Sequence, residues 1–242
     1  MPFIKFSFLI LLTLSITSCE EVNEILDTAG LTNEEVVEGL KTALNTGTDT
    51  SVSTLSKTDG YYKDQLVKIL LPEEAAPVYN VLKSIPGGNL LIEDAVLAIN
   101  RAAEDAAPEA EDIFVTAITG ISIMDGFEIL NGGDTAATIY LQGKTYNPLV
   151  DAFKPKIQSS LSKPLILNTS AEQAYALVLK TYNDASLGGI LWPEIKTNTL
   201  ATHVTQKALT GLFYKVGEEE KKIRRDPLHR VSDILKKVFS GK

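Results

Sequence analysis

Apolar residues recur at spacings of three and four, without a break, along one stretch of this chain: Ile92, Ala95, Ile99, Ala102, Ala106, Ala110, Ile113, Ala117 and Ile121. Val96, Ala103, Phe114 and Ile118 widen the stripe. That period belongs to an α-helix with one buried face. The pattern predicts a core helix, or two helices that meet at Pro108. The alanines let a neighbouring helix approach closely, so the stripe constrains what must pack on it.

The rest of the chain supplies helices to do so. Thr32-Asn33-Glu34-Glu35 spells a capping box, with a hydroxyl for the free backbone N–H groups and a carboxylate three residues later. Val36, Val37, Leu40 and Leu44 follow it as an apolar stripe, and Gly47 predicts its stop. Further short helices are expected over 49–56, 63–71 and 73–85, with Pro77 tolerable only in a first turn or as a kink. Asp125 and Asp134 read as N-caps on either side of Asn131-Gly132-Gly133. Longer helices are expected over 147–161, 170–183 and 199–225. A final helix should start with Asp226 as cap and Pro227 in its first position, burying Val231, Ile234, Leu235, Val238 and Phe239. No run shows the sustained alternation of a half-buried strand, and Leu165-Ile166-Leu167 is short. The fold class that follows is all-α, a single-domain bundle of about ten helices.

The N-terminus carries an address. Lys5 is the one charge in the first five residues, and Phe6 to Ile16 is an apolar run broken only by Ser7, Thr13 and Ser15. Eleven residues are too few to span a bilayer, which takes ~20, but they suit the apolar core of a secretory signal. The chain's one cysteine, Cys19, follows directly, and Ile16-Thr17-Ser18-Cys19 resembles the lipobox of bacterial lipoproteins. That resemblance implies cleavage before Cys19 and acylation of its sulfur. The expected organisation is a signal peptide over residues 1–18, an acidic tether over 19–30 and a helical domain over 31–242. As a flexible coil, the tether would hold the body within ~15–20 Å of the membrane on average.

Charge narrows the partners. The formal net charge of −8 argues against nucleic acid, whose affinity comes largely from neutralised phosphates. The distribution is uneven. Nine Lys/Arg stand against five Asp/Glu from Lys215 to Lys242, whereas Cys19 to Tyr214 holds 13 against 26. A solvated helix face is the favoured reading of such a basic end, ahead of a membrane or partner patch.

Several motifs together resemble a known bacterial family. They are Asn100-Arg101-Ala102-Ala103-Glu104, Ile129-Leu130-Asn131-Gly132 with Ala136-Ala137-Thr138, and Glu219-Glu220 with Ile223-Arg224-Arg225-Asp226-Pro227 and the ending Leu235-Lys236-Lys237-Val238-Phe239. The family is domain of unknown function 4197, lipoprotein-like, and the resemblance covers nearly all of the chain after Cys19. It implies a helical, exported, often lipid-anchored protein and implies no reaction.

The catalytic inventory is sparse. His203 and His229 are the two histidines, and neither an HExxH nor a Glu-x-x-His pair exists, so no metal and no cofactor is expected. There is no Gly-x-Ser-x-Gly elbow, and the Gly-Gly pairs at 87, 132 and 188 lack the Lys-Ser/Thr ending of a phosphate loop. No catalytic residue is assigned. Asn100, Arg101 and Glu104 share one helix face at the border of the apolar stripe, where partial burial demands partners. Glu220, Arg224 and Arg230 are the candidates, forming one polar network that fixes how helices dock. Tyr140, Tyr146, Tyr175, Tyr182 and Trp192 read as core or as a cavity lining.

The resulting expectation is a lipid-anchored protein of the bacterial cell envelope, at the outer membrane on its periplasmic face or the cell surface. It would bind or scaffold a protein partner without catalysis, reaching the membrane through Cys19. A carrier of a small apolar ligand in an interhelical pocket, and a hydrolase using carboxylates such as Glu104 or Glu220, stay open at this point.

Overall fold

A computed structural model describes residues 30–84, 86–164, 170–196 and 199–240. The expected signal peptide, Cys19, the tether up to residue 29 and the run Leu165-Ile166-Leu167 lie outside the described residues. The described residues form nine α-helices and no strand, in line with the all-α expectation. They are α1 (Asn33–Leu55), α2 (Ala76–Lys83), α3 (Gly88–Ala106), α4 (Glu111–Thr119), α5 (Ile123–Asn131), α6 (Ala136–Leu161), α7 (Ala171–Ala185), α8 (Leu200–Arg225) and α9 (Asp233–Phe239).

The alanine stripe resolves into two helices. α3 and α4 are joined by a 3-10 turn, Ala107–Ala110, that contains Pro108. Ile99, Ala102, Ala103, Ala106, Ala107, Ala110, Phe114 and Ile118 are buried along it. α6 packs against α3 and α8, while α1 packs against α8, α4, α5 and α9. The core between them holds Leu40, Leu44, Leu141, Leu149, Phe153, Leu209 and Leu212, with Phe114 meeting Phe213 edge-on at 6.0 Å.

Several local expectations are corrected. Gly47 does not stop the first helix, and no separate helix covers 49–56. α1 runs on because Gly47 is buried where α8 crosses, with a Cβ there only 3.5 Å from Glu219. Close packing offsets the poor propensity of glycine. The helix expected over 63–71 is a set of turns followed by extended chain: Asp64 accepts the N–H groups of Leu66, Val67 and Lys68, and the Asn100 side chain of α3 takes both the N–H and the carbonyl of Ile69. The helix expected from 147 starts at Ala136 and continues through Pro148 and Pro155. Both prolines face solvent, where water can serve the freed carbonyls.

At the C-terminus Asp226 caps only a 3-10 turn, Pro227–His229. The last helix begins at Asp233 with Ser232 as its cap, and Val231 lies outside its buried face. Nor do Asp125 and Asp134 act as caps. Ser122 caps α5 with Asp125 as the reciprocal partner in the box, and Asp134 pairs with Arg225. The boxes at Thr32 and Ser170 form with Glu35 and Gln173.

Candidate functional site

Asn100 and Glu104 stand one turn apart on α3 and face the non-helical segment 56–72. Asn100 Oδ1 accepts the Ile69 N–H at 2.9 Å, and its Nδ2 donates to the carbonyls of Ile69 at 2.8 Å and Val96 at 2.7 Å. The Asn100 side chain thus treats Ile69 as a neighbouring strand would. Glu104 Oε1 accepts the N–H groups of Tyr61 at 3.1 Å and Tyr62 at 3.2 Å. Its Oε2 receives Arg101 Nη1 at 2.5 Å. The other arm of that guanidinium reaches Asp59 at 2.6 Å. Lys63, and then Arg101, hold the Asp59 carboxyl below its ordinary range. The segment's anchor in the core is Tyr61, fully buried, whose hydroxyl donates to the Ala208 carbonyl of α8 at 2.9 Å. Burial, reinforced by the negative charge of Glu104, pushes the Tyr61 phenol well up.

Glu220 on α8 does comparable work at the start of α6. Its Oε1 accepts the Ala137 N–H at 3.0 Å, and its Oε2 accepts both the N–H and the Oγ1 of Thr138 at 2.8 Å. Arg224 Nε, one turn on, donates to the same carboxylate at 2.9 Å. The Arg224 guanidinium continues to the carbonyls of Ile129 at 2.7 Å and Leu130 at 3.3 Å, the last turn of α5. Arg230 folds back on α8, donating to the carbonyls of Ile223 at 3.0 Å and Arg224 at 2.7 Å. Each of these three side chains satisfies backbone groups that a helix end leaves unpaired.

The six polar residues expected to form one network therefore stand in two groups. Asn100, Arg101 and Glu104 hold segment 56–72, and Glu220, Arg224 and Arg230 hold the junctions of α5, α6 and α8. Among the described residues no hydrogen bond joins the two groups. Arg101 also departs from the expected burial, with its side chain 37% exposed at the rim, its guanidinium 5.8 Å from the Tyr62 ring centre. Buried ion pairs of this sort need extra hydrogen bonds to offset desolvation, and here the backbone provides them.

The chemistry open to these carboxylates is narrow. Both oxygens of Glu104 and both of Glu220 are occupied by donors, and each carboxylate has an arginine beside it. The space next to Glu220, lined by Leu40, Leu44, Ala137, Val216 and Phe239, measures about 10 Å³, room for one water. Among the described residues no three His, Cys, Asp or Glu side chains cluster as metal ligands would. His203 Nε2 lies 2.9 Å from the Leu70 carbonyl, and His229 Nδ1 lies 2.9 Å from Asp226. Of the aromatics, Tyr175 is buried, Tyr140 and Tyr146 pack half-buried on the core, and Tyr182 meets the exposed Trp192 at 5.8 Å.

Two surface features went unread in the sequence. One is a groove of about 230 Å³ between α1 and α8, lined by Thr50, Thr54, Tyr214, Lys215, Glu218 and Lys222. The other is the loop after α7. Ser186, itself buried, accepts the Gly189 N–H on its Oγ at 2.9 Å and the Leu191 N–H on its carbonyl at 3.0 Å. Asn183 brackets Ile195 through N–H and carbonyl at 2.8 and 3.0 Å. Leu187 adopts φ 54°, a left-handed backbone that costs a branched side chain about 1 kcal/mol or more. So tied, the loop turns Leu187, Ile190 and Leu191 to solvent, Ile190 being 80% exposed. The run Leu-Gly-Gly-Ile-Leu-Trp was the available signal, hidden because it also reads as a helix stop.

Residues 30–240 match the family described as Protein of unknown function (DUF4197). The chain belongs to the DUF4197 family. The match runs from three residues before α1 to one residue past α9, so both polar groups fall inside it. No curated protein and no solved structure matches the chain. Membership in the DUF4197 family confirms the resemblance drawn from the Asn100–Glu104 and Glu219–Pro227 motifs.

Proposed function

We propose that this chain is a lipid-anchored protein of the bacterial cell envelope whose helical body binds or scaffolds a partner without catalysis. Residues 1–18 act as a cleaved signal, acylated Cys19 is the anchor, 19–30 are the tether, and the body begins at 31. The layout of the leader and the lipobox-like Ile16-Thr17-Ser18-Cys19 support the address at the outer membrane. Among the described residues no single helix is long and apolar enough to cross a membrane.

The observation that carries the binding reading is the loop Leu187–Trp192. Its backbone is fixed by Ser186 and Asn183 while its large apolar side chains stand in water. A rigid element that presents apolar side chains is pre-organised for an interface. The occupied carboxylates of Glu104 and Glu220 support the non-catalytic part.

Two measurements test it. Palmitate labelling should mark the wild type and miss Cys19→Ala, and equal labelling would refute the anchor. A photo-crosslinker placed at Ile190 should give a discrete adduct in the envelope that Leu191→Asp abolishes without lowering the melting temperature. The same crosslinker at exposed Gly143 should give none. Identical adduct patterns at both positions would refute the loop as a binding face.

A further inference from the structure

The C-terminal turn has a different character from the rest of the surface. Leu228 is 90% exposed and Val231 is 73% exposed, although both sit in a tightly tied segment. Asp226 Oδ1 accepts the Leu228 N–H at 2.9 Å, and the Arg230 N–H reaches the Pro227 carbonyl at 3.2 Å. Below the turn, the buried Arg230 guanidinium locks it to the end of α8. Nothing in this bonding requires leucine or valine at the outward positions. Lys221, Arg225, His229 and Lys236, within ten residues of them in the chain, are exposed as well.

The turn lies at the end of the bundle where the chain enters. Lys237 of α9 pairs with Glu35 in the first turn of α1 at 2.6 Å, and Val238 packs on Gly39. α8 runs antiparallel to α1, with Glu219 near Gly47 and Ile223 beside Leu40. Gly30 and the 225–231 turn therefore share one end of a body whose α1 alone spans about 35 Å. Gly30 stands eleven positions after Cys19, a reach of about 40 Å at full stretch.

We propose that the 225–231 turn is the body's contact with the membrane, with Leu228 and Val231 entering the headgroup region of an anionic bilayer. This rests on the anchor at Cys19 proposed above. Charge favours the same orientation, because Lys221 to Lys242 hold eight Lys/Arg against Asp226 and Asp233, which outweighs Glu34, Glu35 and Glu38 in the first turns of α1. Pairs such as Arg225–Asp134 and Lys236–Asp233 are surface pairs of small worth, so their cations can turn to lipid phosphate. A lipid chain combined with a basic, apolar patch is a two-signal attachment.

The test uses the full-length acylated protein in phosphatidylethanolamine–phosphatidylglycerol vesicles. An environment-sensitive dye is placed through Leu228→Cys or, as control at the far end of α1, through Ser53→Cys. Acylated Cys19 does not react with it. The dye at 228 should shift to the blue and be quenched by lipid-borne quenchers, while the dye at 53 keeps its aqueous spectrum. Replacing phosphatidylglycerol by phosphatidylcholine should weaken the quenching at 228. Aqueous spectra at both positions on vesicle-bound protein would overturn the contact and leave the anchor standing. Quenching at 53 alone would overturn it too. A second dye on Cys19, showing a free thiol, would overturn the anchor and this contact with it.

Discussion

Thr138 gives both its backbone N–H and its hydroxyl to one oxygen of Glu220, each at 2.8 Å, across the gap between α6 and α8. Thr135, at the cap position of α6, makes no side-chain cap bond, so a carboxylate from another helix serves that end. It also meets the positive end of the α6 dipole. Removing it should leave three donors unpaired and the buried Arg224 guanidinium without a counter-charge, held only by the carbonyls of Ile129 and Leu130. Glu220→Ala is expected to cost about 3–5 kcal/mol in urea unfolding, the usual range for breaking a buried pair. Glu220→Leu combined with Arg224→Met should cost less than the two single changes together, which a double-mutant cycle would register.

Asn100 and Arg101 are neighbours in sequence with opposite exposures, and their substitutions should differ accordingly. Asn100→Ala strands the N–H and carbonyl of Ile69 in the interior, at about 1–3 kcal/mol for each unsatisfied group. Arg101→Leu removes a rim charge that water can partly replace but leaves the buried Glu104 carboxylate with only its two backbone donors, at about 1–2 kcal/mol. Thermal melts of the two variants would order them. A larger loss for Arg101→Leu would contradict the assignment of the segment's support to Asn100 and Glu104.

Two glycines inside helices make a matched pair. A Cβ on Gly39 would come within 2.5 Å of Val238 Cγ2, whereas one on Gly143 meets nothing. Gly39→Ala should push α9 off α1 and destabilise by about 1–3 kcal/mol. Gly143→Ala should stabilise by about 0.5–1 kcal/mol through helix propensity. Chemical denaturation of both variants checks the sign of each.

The pH profile should fall at both ends, for opposite reasons. The buried Tyr61 phenol is pushed up, so above about pH 10 the unfolded chain releases a proton that the folded chain keeps. Stability is then lost as pH rises, by about 1.4 kcal/mol per pH unit from this group. Tyr61→Phe should flatten that slope while costing about 1 kcal/mol at neutral pH through the lost bond to Ala208. On the acid side Asp59, held low by Lys63 and Arg101, contributes stability above pH 3.8 that disappears as pH falls through its folded value. Asp59→Asn should reduce the acid sensitivity, read from melts between about pH 5 and 2.

Much of this architecture is legible because its signals are local. The box at Thr32–Glu35 and the alanine stripe need only a few neighbouring residues to declare themselves. What the sequence hides depends on remote partners. Gly47 reads as a stop until α8 is laid against it. Segment 63–71 has helix-like spacing until Asn100 captures Ile69. The polar residues of α3 and α8 stand at the border of apolar faces, which their spacing shows. Spacing along a helix says nothing of which remote backbone each carboxylate will meet. Tyr61 carries no sequence signal for its reach to Ala208, which depends on the turn at Asp59-Gly60 placing it.

The buried carboxylates of Glu104 and Glu220 are permanent acceptors for backbone N–H groups that have no helical partner. Native-state hydrogen exchange of Tyr61, Tyr62, Ala137 and Thr138 reads this directly. In the wild type these four amides should be protected like the cores of α6 and α8. Glu220→Ala should release Ala137 and Thr138 while Tyr61 and Tyr62 stay protected. Rapid exchange of all four in the wild type would contradict it.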